Sequence, residues 1–247
     1  MNSTRPELAV VMPAFNAERT VADTLSRLSR QVKNLPAMTV ILVNDGSSDA
    51  TEKIAVKAAR EIGLSLSVIN HGANRGYGAA QKTGFKKSLS IGCKYHALLH
   101  SDGQYSPEEM PMLLESLIKN EADVAVGSKM ISGRALLEGM PLLRYIGSRF
   151  ISSVENLVFG LNLAEYHSGY AAYSEKVLTA VEFETLTDKF HFDGEMLLCS
   201  AKLGMRVKEL PISASYQRGS SSLSPLPYLM EIAGVMVRYL RRGYFFQ

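Results

Sequence analysis

Cysteine is nearly absent. The 247 residues hold two, Cys93 and Cys199, which excludes a disulfide framework and any four-cysteine zinc module and suits a reducing compartment. Long apolar runs are missing as well: no stretch approaches the roughly 18 uncharged apolar residues that span a bilayer. Met1 to Phe15 has one early Arg and an apolar run stopped by Pro13, short of a signal-peptide core. A cytoplasmic protein that does not cross a membrane is the expectation. Charge of one sign is scarce too. Lys plus Arg number 27 against 24 for Asp plus Glu, a formal +3, too small an excess to argue for nucleic acid. Of the five histidines, His71, His96, His100, His167 and His191, only His96 and His100 stand four residues apart, and they fall on an expected strand and its turn rather than on a helix, so zinc is not expected. What is present is ordinary globular material, 46% hydrophobic and 21% charged, which excludes disorder, collagen and coiled coil.

Apolar runs and helical patterns alternate with a period near 30 residues. Leu8 to Met12 is a buried strand ended by Pro13, and Ala17 to Gln31 carries Val21, Leu25 and Leu28 at helical spacing. Met38 to Val43 stops at the turn Asn44-Asp45-Gly46-Ser47, after which Asp49 caps a helix through Ile62. A strand over Leu64 to Ile69, a helix over Gly78 to Ser90 and a strand over Tyr95 to Leu99 follow. Ser106-Pro107-Glu108-Glu109 opens the next helix, and Val124 to Gly127 is a fifth strand. Repeated strand–helix–strand units predict an α/β, Rossmann-like, doubly wound and mainly parallel sheet. Ligands of such sheets sit beyond the carboxyl ends of the strands. After Gly127 the alternation ends, and two amphipathic helices, Leu142 to Leu161 and Leu226 to Leu240, bracket a mixed region without a linker.

The one glycine-rich stretch, Gly72 to Ala80, follows the third strand and fits neither the dinucleotide nor the Walker spacing. The polar turns are more telling as a series: Pro13-Ala14-Phe15-Asn16-Ala17-Glu18, Val43 to Thr51, Asn74-Arg75-Gly76-Tyr77-Gly78-Ala79, and His100-Ser101-Asp102-Gly103-Gln104-Tyr105. In that order they resemble the family 2 inverting glycosyltransferases of GT-A fold, and within them the dolichyl- or polyprenyl-phosphate mannose or glucose synthases. The resemblance is strong over the first 130 residues and weaker to about Leu223. It implies a GT-A domain over 1–223, with a nucleotide-sugar half to about 130 and an acceptor half beyond it. A basic amphipathic helix over 224–247 would follow.

The resemblance implies a nucleoside-diphosphate sugar donor, UDP- or GDP-linked, bound by Pro13, Phe15, Asn16, Glu18, Asp45, Arg75, His100 and Ser101. Phe15 can stack on a base or be a core aromatic; Asp45 can accept from a ring N–H or simply form a turn. Asp102, Gln104 and His100 would hold Mg²⁺ or Mn²⁺ through hard donors, although His100 can equally meet the ribose. The chain departs from the pattern here. His100 stands where the family has an acid, Asn44 where an acid precedes Asp45, and Ala17 where a Glu follows Asn16, so an inactive relic of the fold is the bland alternative. Downstream, Glu165 to Tyr173 resembles an acid-x-x-S-G-aromatic-R stretch whose Arg has become Ala171.

Arg218, in Gln217 to Leu223, would hold the departing diphosphate or be a solvated loop residue. Asp193 and Glu195 are general bases only if the acceptor is a hydroxyl, and otherwise favour a helix N-terminus. Lys129, Arg144 and Ser148 match positions for an acceptor phosphate, with Lys129 replacing a bidentate Arg. The stripes Ile146-Phe150-Val154-Leu157-Leu161 and Leu229-Ile232-Ala233-Met236-Val237-Leu240, flanked by Arg238, Arg241 and Arg242, face a core, a homo-oligomer or membrane-protein partner, or a membrane surface. The resulting expectation is a metal-dependent hexosyltransferase acting on a polyprenyl phosphate at the inner face of the membrane. A hydroxyl-directed glycosyltransferase and a non-catalytic nucleotide-sugar or lipid-binding module are the alternatives.

Overall fold

The computed structural model describes residues 6–131, 133, 135–136, 138–213, 225–244 and 246. Seven strands form one sheet in the order β3-β2-β1-β4-β6-β5-β7. β1 (Leu8–Ala14) is buried at every position, as a parallel strand covered on both faces must be. It pairs with β2 (Met38–Asn44) from Leu8↔Met38 to Ala14↔Asn44 and with β4 (Tyr95–Leu98) from Leu8↔Tyr95. β3 (Leu66–Asn70) joins the far side of β2, also parallel.

Alternation along β1 sends Leu8, Val10 and Met12 into one core and Ala9 and Val11 toward the other face. The first core is closed by α1 (Val21–Ser29), through Val21, Leu25 and Leu28, and by α4 (Met110–Ile118). The helix α2 (Thr51–Ile62) lies against α1. The opposite face is covered by α3 (Tyr77–Ser90), where Gly84 lets the helix lie directly on β1: a side-chain carbon there would overlap Val11.

β5 (Val124–Ser128) completes the elements expected from sequence, with boundaries within a few residues. α1 begins four residues later than its periodicity suggests, because Ala17 to Thr20 form a turn in which Thr20 and Val21 both donate to the Ala17 carbonyl at 3.0 Å. Asp49 precedes the α2 cap by one residue, yet its carboxylate still accepts from Thr51 N at 3.0 Å. The region after Gly127 contains two strands the sequence left unassigned. β6 (Ala171–Ser174) runs antiparallel between β4 and β5, and β7 (Val207–Pro211) pairs parallel with β5. The long α5 (Leu142–Phe159) ends on Gly160 at φ +63, a left-handed C-cap. α6 (Glu175–Ala180) and α7 (Phe192–Lys202) back the sheet on the α3 side. α8 (Pro225–Leu240) crosses α5 and sends Val235 into the same core. Among the described residues no helix is long and apolar enough to cross a membrane.

Candidate active site

The in-register ends of β1, β2 and β4 bring their following turns into one crevice of about 670 Å³. Asp45 N donates to the Ala14 carbonyl at 2.8 Å and Ser101 Oγ to the Pro13 carbonyl at 2.9 Å, tying the three turns together. Asn16 sits at φ 49, a backbone state that Asn adopts more readily than most residues. There its Oδ1 accepts from Ser48 N and its N–H donates to Ser47 Oγ, both at 2.9 Å. Glu18 makes the parallel clasp, accepting from Ala50 N at 3.1 Å. Held by these contacts, Phe15 projects at the rim with half its surface exposed (51%), so it is not a core aromatic.

Asp45 is buried, and most of its carboxylate is used within the chain. Oδ1 meets His71 Nδ1 at 2.6 Å and accepts from Arg75 N at 2.9 Å; Oδ2 accepts from Gly76 N at 3.0 Å. The acid therefore fixes the β3–α3 loop, which presents Arg75 to solvent, and only Oδ2 keeps room for a further donor. In the last turn Asp102 Oδ1 accepts from Gln104 N at 3.0 Å, closing an Asx turn around Gly103.

Behind that turn runs a polar chain that none of the sequence motifs displayed. Tyr77 OH lies 2.5 Å from His100 Nε2 and donates to Asp193 Oδ2 at 2.9 Å, while Gln81 Nε2 donates to Asp193 Oδ1 at 2.9 Å. Through the Tyr77 hydroxyl the His100 imidazole is joined to the same chain as Asp193. Burial pushes the His100 imidazole down, against the opposing charge of Asp102. Burial also pushes the Asp193 carboxyl up to about 7, against the lowering donors Gln81 and Tyr77. Gly169 packs on this chain, where any side chain would strike His100 and Tyr77. Phe190 stacks on Tyr77 at 5.6 Å and lines the crevice with Lys189. Tyr77 lay inside a quoted sequence motif; for Gln81 the only signal was a polar residue among small ones on α3.

Glu195 points elsewhere. It accepts from Thr187 N at 2.5 Å and from the Tyr244 hydroxyl, with Arg238 at 3.4 Å. Its carboxylate anchors the segment before α7 to the end of the chain and does not line the crevice. Each carboxylate oxygen of the two α7 acids thus already has a partner within the chain, and neither acid lines the crevice. Lys129 follows β5, its N–H bonded to Glu165 at 3.0 Å and its ammonium 5.3 Å from the Tyr105 ring centroid. Arg144, exposed, and Ser148, half-buried, stand one turn apart on α5. Arg218, with the rest of Gln217 to Leu223, lies outside the described residues.

The family model for Glycosyl transferase family 2 matches residues 9–181, which include all of the crevice lining except Lys189, Phe190 and Glu231. The chain belongs to that family. This glycosyltransferase is 31% identical over 216 residues to the undecaprenyl-phosphate mannosyltransferase of Micrococcus luteus, covering 87% of this chain and 86% of that one. It is 25% identical to the UDP-N-acetylglucosamine–dolichyl-phosphate N-acetylglucosaminyltransferase of Methanococcus voltae, over 84% and 85% of the two chains. The fold is shared with glucosyl-3-phosphoglycerate synthase from Mycobacterium tuberculosis, solved with Mn²⁺, UDP and phosphoglyceric acid. The TM-score is 0.68 at 17% identity, over 95% of this chain and 77% of that one.

Proposed function

We propose that this family 2 glycosyltransferase moves a hexose, with inversion, from a nucleoside-diphosphate sugar to a polyprenyl phosphate. The observation that carries the acceptor class is the engagement of both α7 carboxylates. Asp193 is held by Gln81 and Tyr77, and Glu195 by Thr187 and Tyr244. A hydroxyl acceptor needs a base; a phosphate is already an oxyanion. Its oxygen attacks the anomeric carbon as the sugar's bond to the diphosphate breaks, and the nucleoside diphosphate leaves from the opposite face. Relatives named as undecaprenyl- and dolichyl-phosphate transferases support the same acceptor.

In this reading Phe15 stacks on the base, and Asn16, Glu18, Asp45, Arg75 and Ser101 shape the nucleotide pocket. Lys129, Arg144 and Ser148 receive the acceptor phosphate, and Arg218 holds the departing diphosphate. A Mg²⁺ or Mn²⁺ ion fits the remaining donors: Asp102 Oδ2, His100 Nδ1 and the Gln104 amide. The single carboxylate and the imidazole favour Mn²⁺. Such an ion would offset the charge that develops on the leaving diphosphate.

The lipid acceptor also accounts for a surface feature. Leu143, Phe150 and Leu157 of α5 are 86%, 69% and 84% exposed, and Leu226, Met230 and Leu240 of α8 are similarly bare. The α5 stripe thus faces outward rather than into a core. With Arg241 and Arg242 exposed nearby, this surface suits reversible adsorption to an anionic membrane, at about 1 kcal/mol per cation.

The test compares wild type with Asp193→Asn on polyprenyl phosphate and on saccharide acceptors. With a phosphate acceptor the folded variant keeps turnover within a few-fold. A loss of a hundredfold or more would move the assignment to a hydroxyl acceptor with Asp193 as base, a role that its carboxyl near pH 7 would suit.

A further inference from the structure

Away from the donor crevice, three residues distant in sequence meet beneath α8. Glu155 comes from α5, about one turn before its end, His167 from the segment leading to β6, and His191 from the position just before α7. The Glu155 and His191 side chains are fully buried and that of His167 is 12% exposed. Glu155 Oε2 lies 3.0 Å from His167 Nε2, and Oε1 lies 3.3 Å from His191 Nε2.

These distances would suit hydrogen bonds, but the directions do not. Both carboxylate oxygens, Nε2 of His167 and both ring nitrogens of His191 are buried without a hydrogen-bond partner. Buried polar groups are rarely left so, and the two Glu155 oxygens facing the Nε2 atoms of His167 and His191 point to something that would occupy the space between them. One ligand atom from each residue lies within 4.8 Å of the other two. Donors about 2.0–2.2 Å from a tetrahedral ion stand a little over 3 Å from one another, close to the 3.0 and 3.3 Å between the Glu155 oxygens and the two imidazoles. The second nitrogen of His167, Nδ1, is 2.8 Å from the Tyr228 hydroxyl, the kind of outer contact that orients a metal-bound imidazole. Tyr228 also sets its edge against both imidazole rings, at 5.6 and 5.9 Å.

We infer that Glu155, His167 and His191 form a second divalent-cation site, with zinc the ion their chemistry fits best. Two imidazoles and one carboxylate make three protein ligands and leave a fourth position open to water or to a substrate oxygen. The ion would tie α5 to the start of α7 under Tyr228. It would lie on the face of α5 that carries Ser148 two turns earlier, the acceptor side of the molecule. The site shares no residue with Asp102, Gln104 and His100, and the inference does not rest on the proposed acceptor. Zinc was not expected from sequence because no two of these residues fall at helical or loop ligand spacing; only the fold brings them together.

The test measures bound metal in the purified full chain. After zinc loading and extensive dialysis, wild type and Asp102→Ala are each expected to retain about one zinc per chain, and His167→Gln and His191→Gln none. Cobalt replacement in wild type is expected to give the intense visible bands of a four-coordinate ion. That spectrum decides the matter even where a histidine variant does not fold. Wild-type protein that holds no stoichiometric zinc and gives only the weak spectrum of hydrated cobalt overturns the inference, and the cluster is then a carboxylate buried between two imidazoles.

Discussion

The hydroxyl of Tyr77 lies 2.5 Å from Nε2 of His100, in the loop that follows β4. Through that hydroxyl the loop is joined to Asp193 on α7, 2.9 Å further on. Two elements from opposite halves of the chain are thereby held in one register across the crevice. The His100 imidazole is thereby part of a hydrogen-bonded chain that crosses from α3 to α7.

Tyr77→Phe should break that chain while keeping the ring stacked on Phe190. Leaving Asp193 Oδ2 and His100 Nε2 without their partner costs about 1–3 kcal/mol, a drop in Tm of several degrees. Turnover should fall by more than the loss of folded protein explains, because His100 is no longer oriented. Thermal melts beside steady-state kinetics on the same preparation check this; turnover at the wild-type level would show that the orientation of His100 is immaterial.

Phe15→Ala should weaken nucleotide binding roughly tenfold, the worth of a base–aromatic stack of about 1–3 kcal/mol. Because Phe15 is half exposed, Tm in the absence of nucleotide should stay within a degree or so. Calorimetry with UDP and GDP, each with Mn²⁺, measures the first effect and identifies the base. Equal affinity in wild type and variant would remove Phe15 from the binding site.

Gly84→Ala tests the close approach of α3 to β1. The added methyl collides with Val11, whose neighbours are fully packed, and overpacking of this kind costs about 1–3 kcal/mol or more. An urea midpoint unchanged from wild type would show that the helix can move away without cost.

His96 sets a pH dependence. Its imidazole is buried on β4 beside Ser88 and is pushed down to about 4 by burial. The folded state therefore favours the neutral ring. The stability this contributes is present above the ordinary pKa of 6.5 and is lost as pH falls through about 4. Asp193, raised rather than lowered, titrates with the opposite sign over much of the same range, so the effect is read as a difference between proteins. Between pH 7.5 and 4.5 wild type should lose on the order of 2–3 kcal/mol more than His96→Gln. Parallel urea midpoints for the two proteins would contradict this.

The first half of the fold was legible in sequence because each parallel strand is a continuous apolar run ending in a polar turn, from Leu8–Ala14 to Val124–Ser128. The later strands were not. β6 is four residues, two of them Ala, and β7 carries Lys208 and Glu209 on a half-exposed edge and ends in Pro211, so neither shows the apolar run of a buried strand. Site residues split along a similar line. Phe15, Asp45 and Asp102 sit in local turns, where chemistry and backbone geometry are encoded together. The occupation of Glu195 by Tyr244 depends on a contact 49 residues away, and the meeting of Glu155 with His167 and His191 depends on three separate elements. No local pattern encodes such contacts; packing alone creates them.

The most direct test of transfer to a lipid phosphate is to incubate the purified protein with sugar nucleotides, Mn²⁺ and undecaprenyl phosphate in anionic vesicles, and to identify the product by mass and by the configuration at its anomeric carbon. A hexosyl-phosphate lipid formed in step with released nucleoside diphosphate, its anomeric configuration opposite to the donor's, is the predicted result. Transfer to saccharide hydroxyls with no lipid product, or a product that retains the donor's configuration, would contradict it.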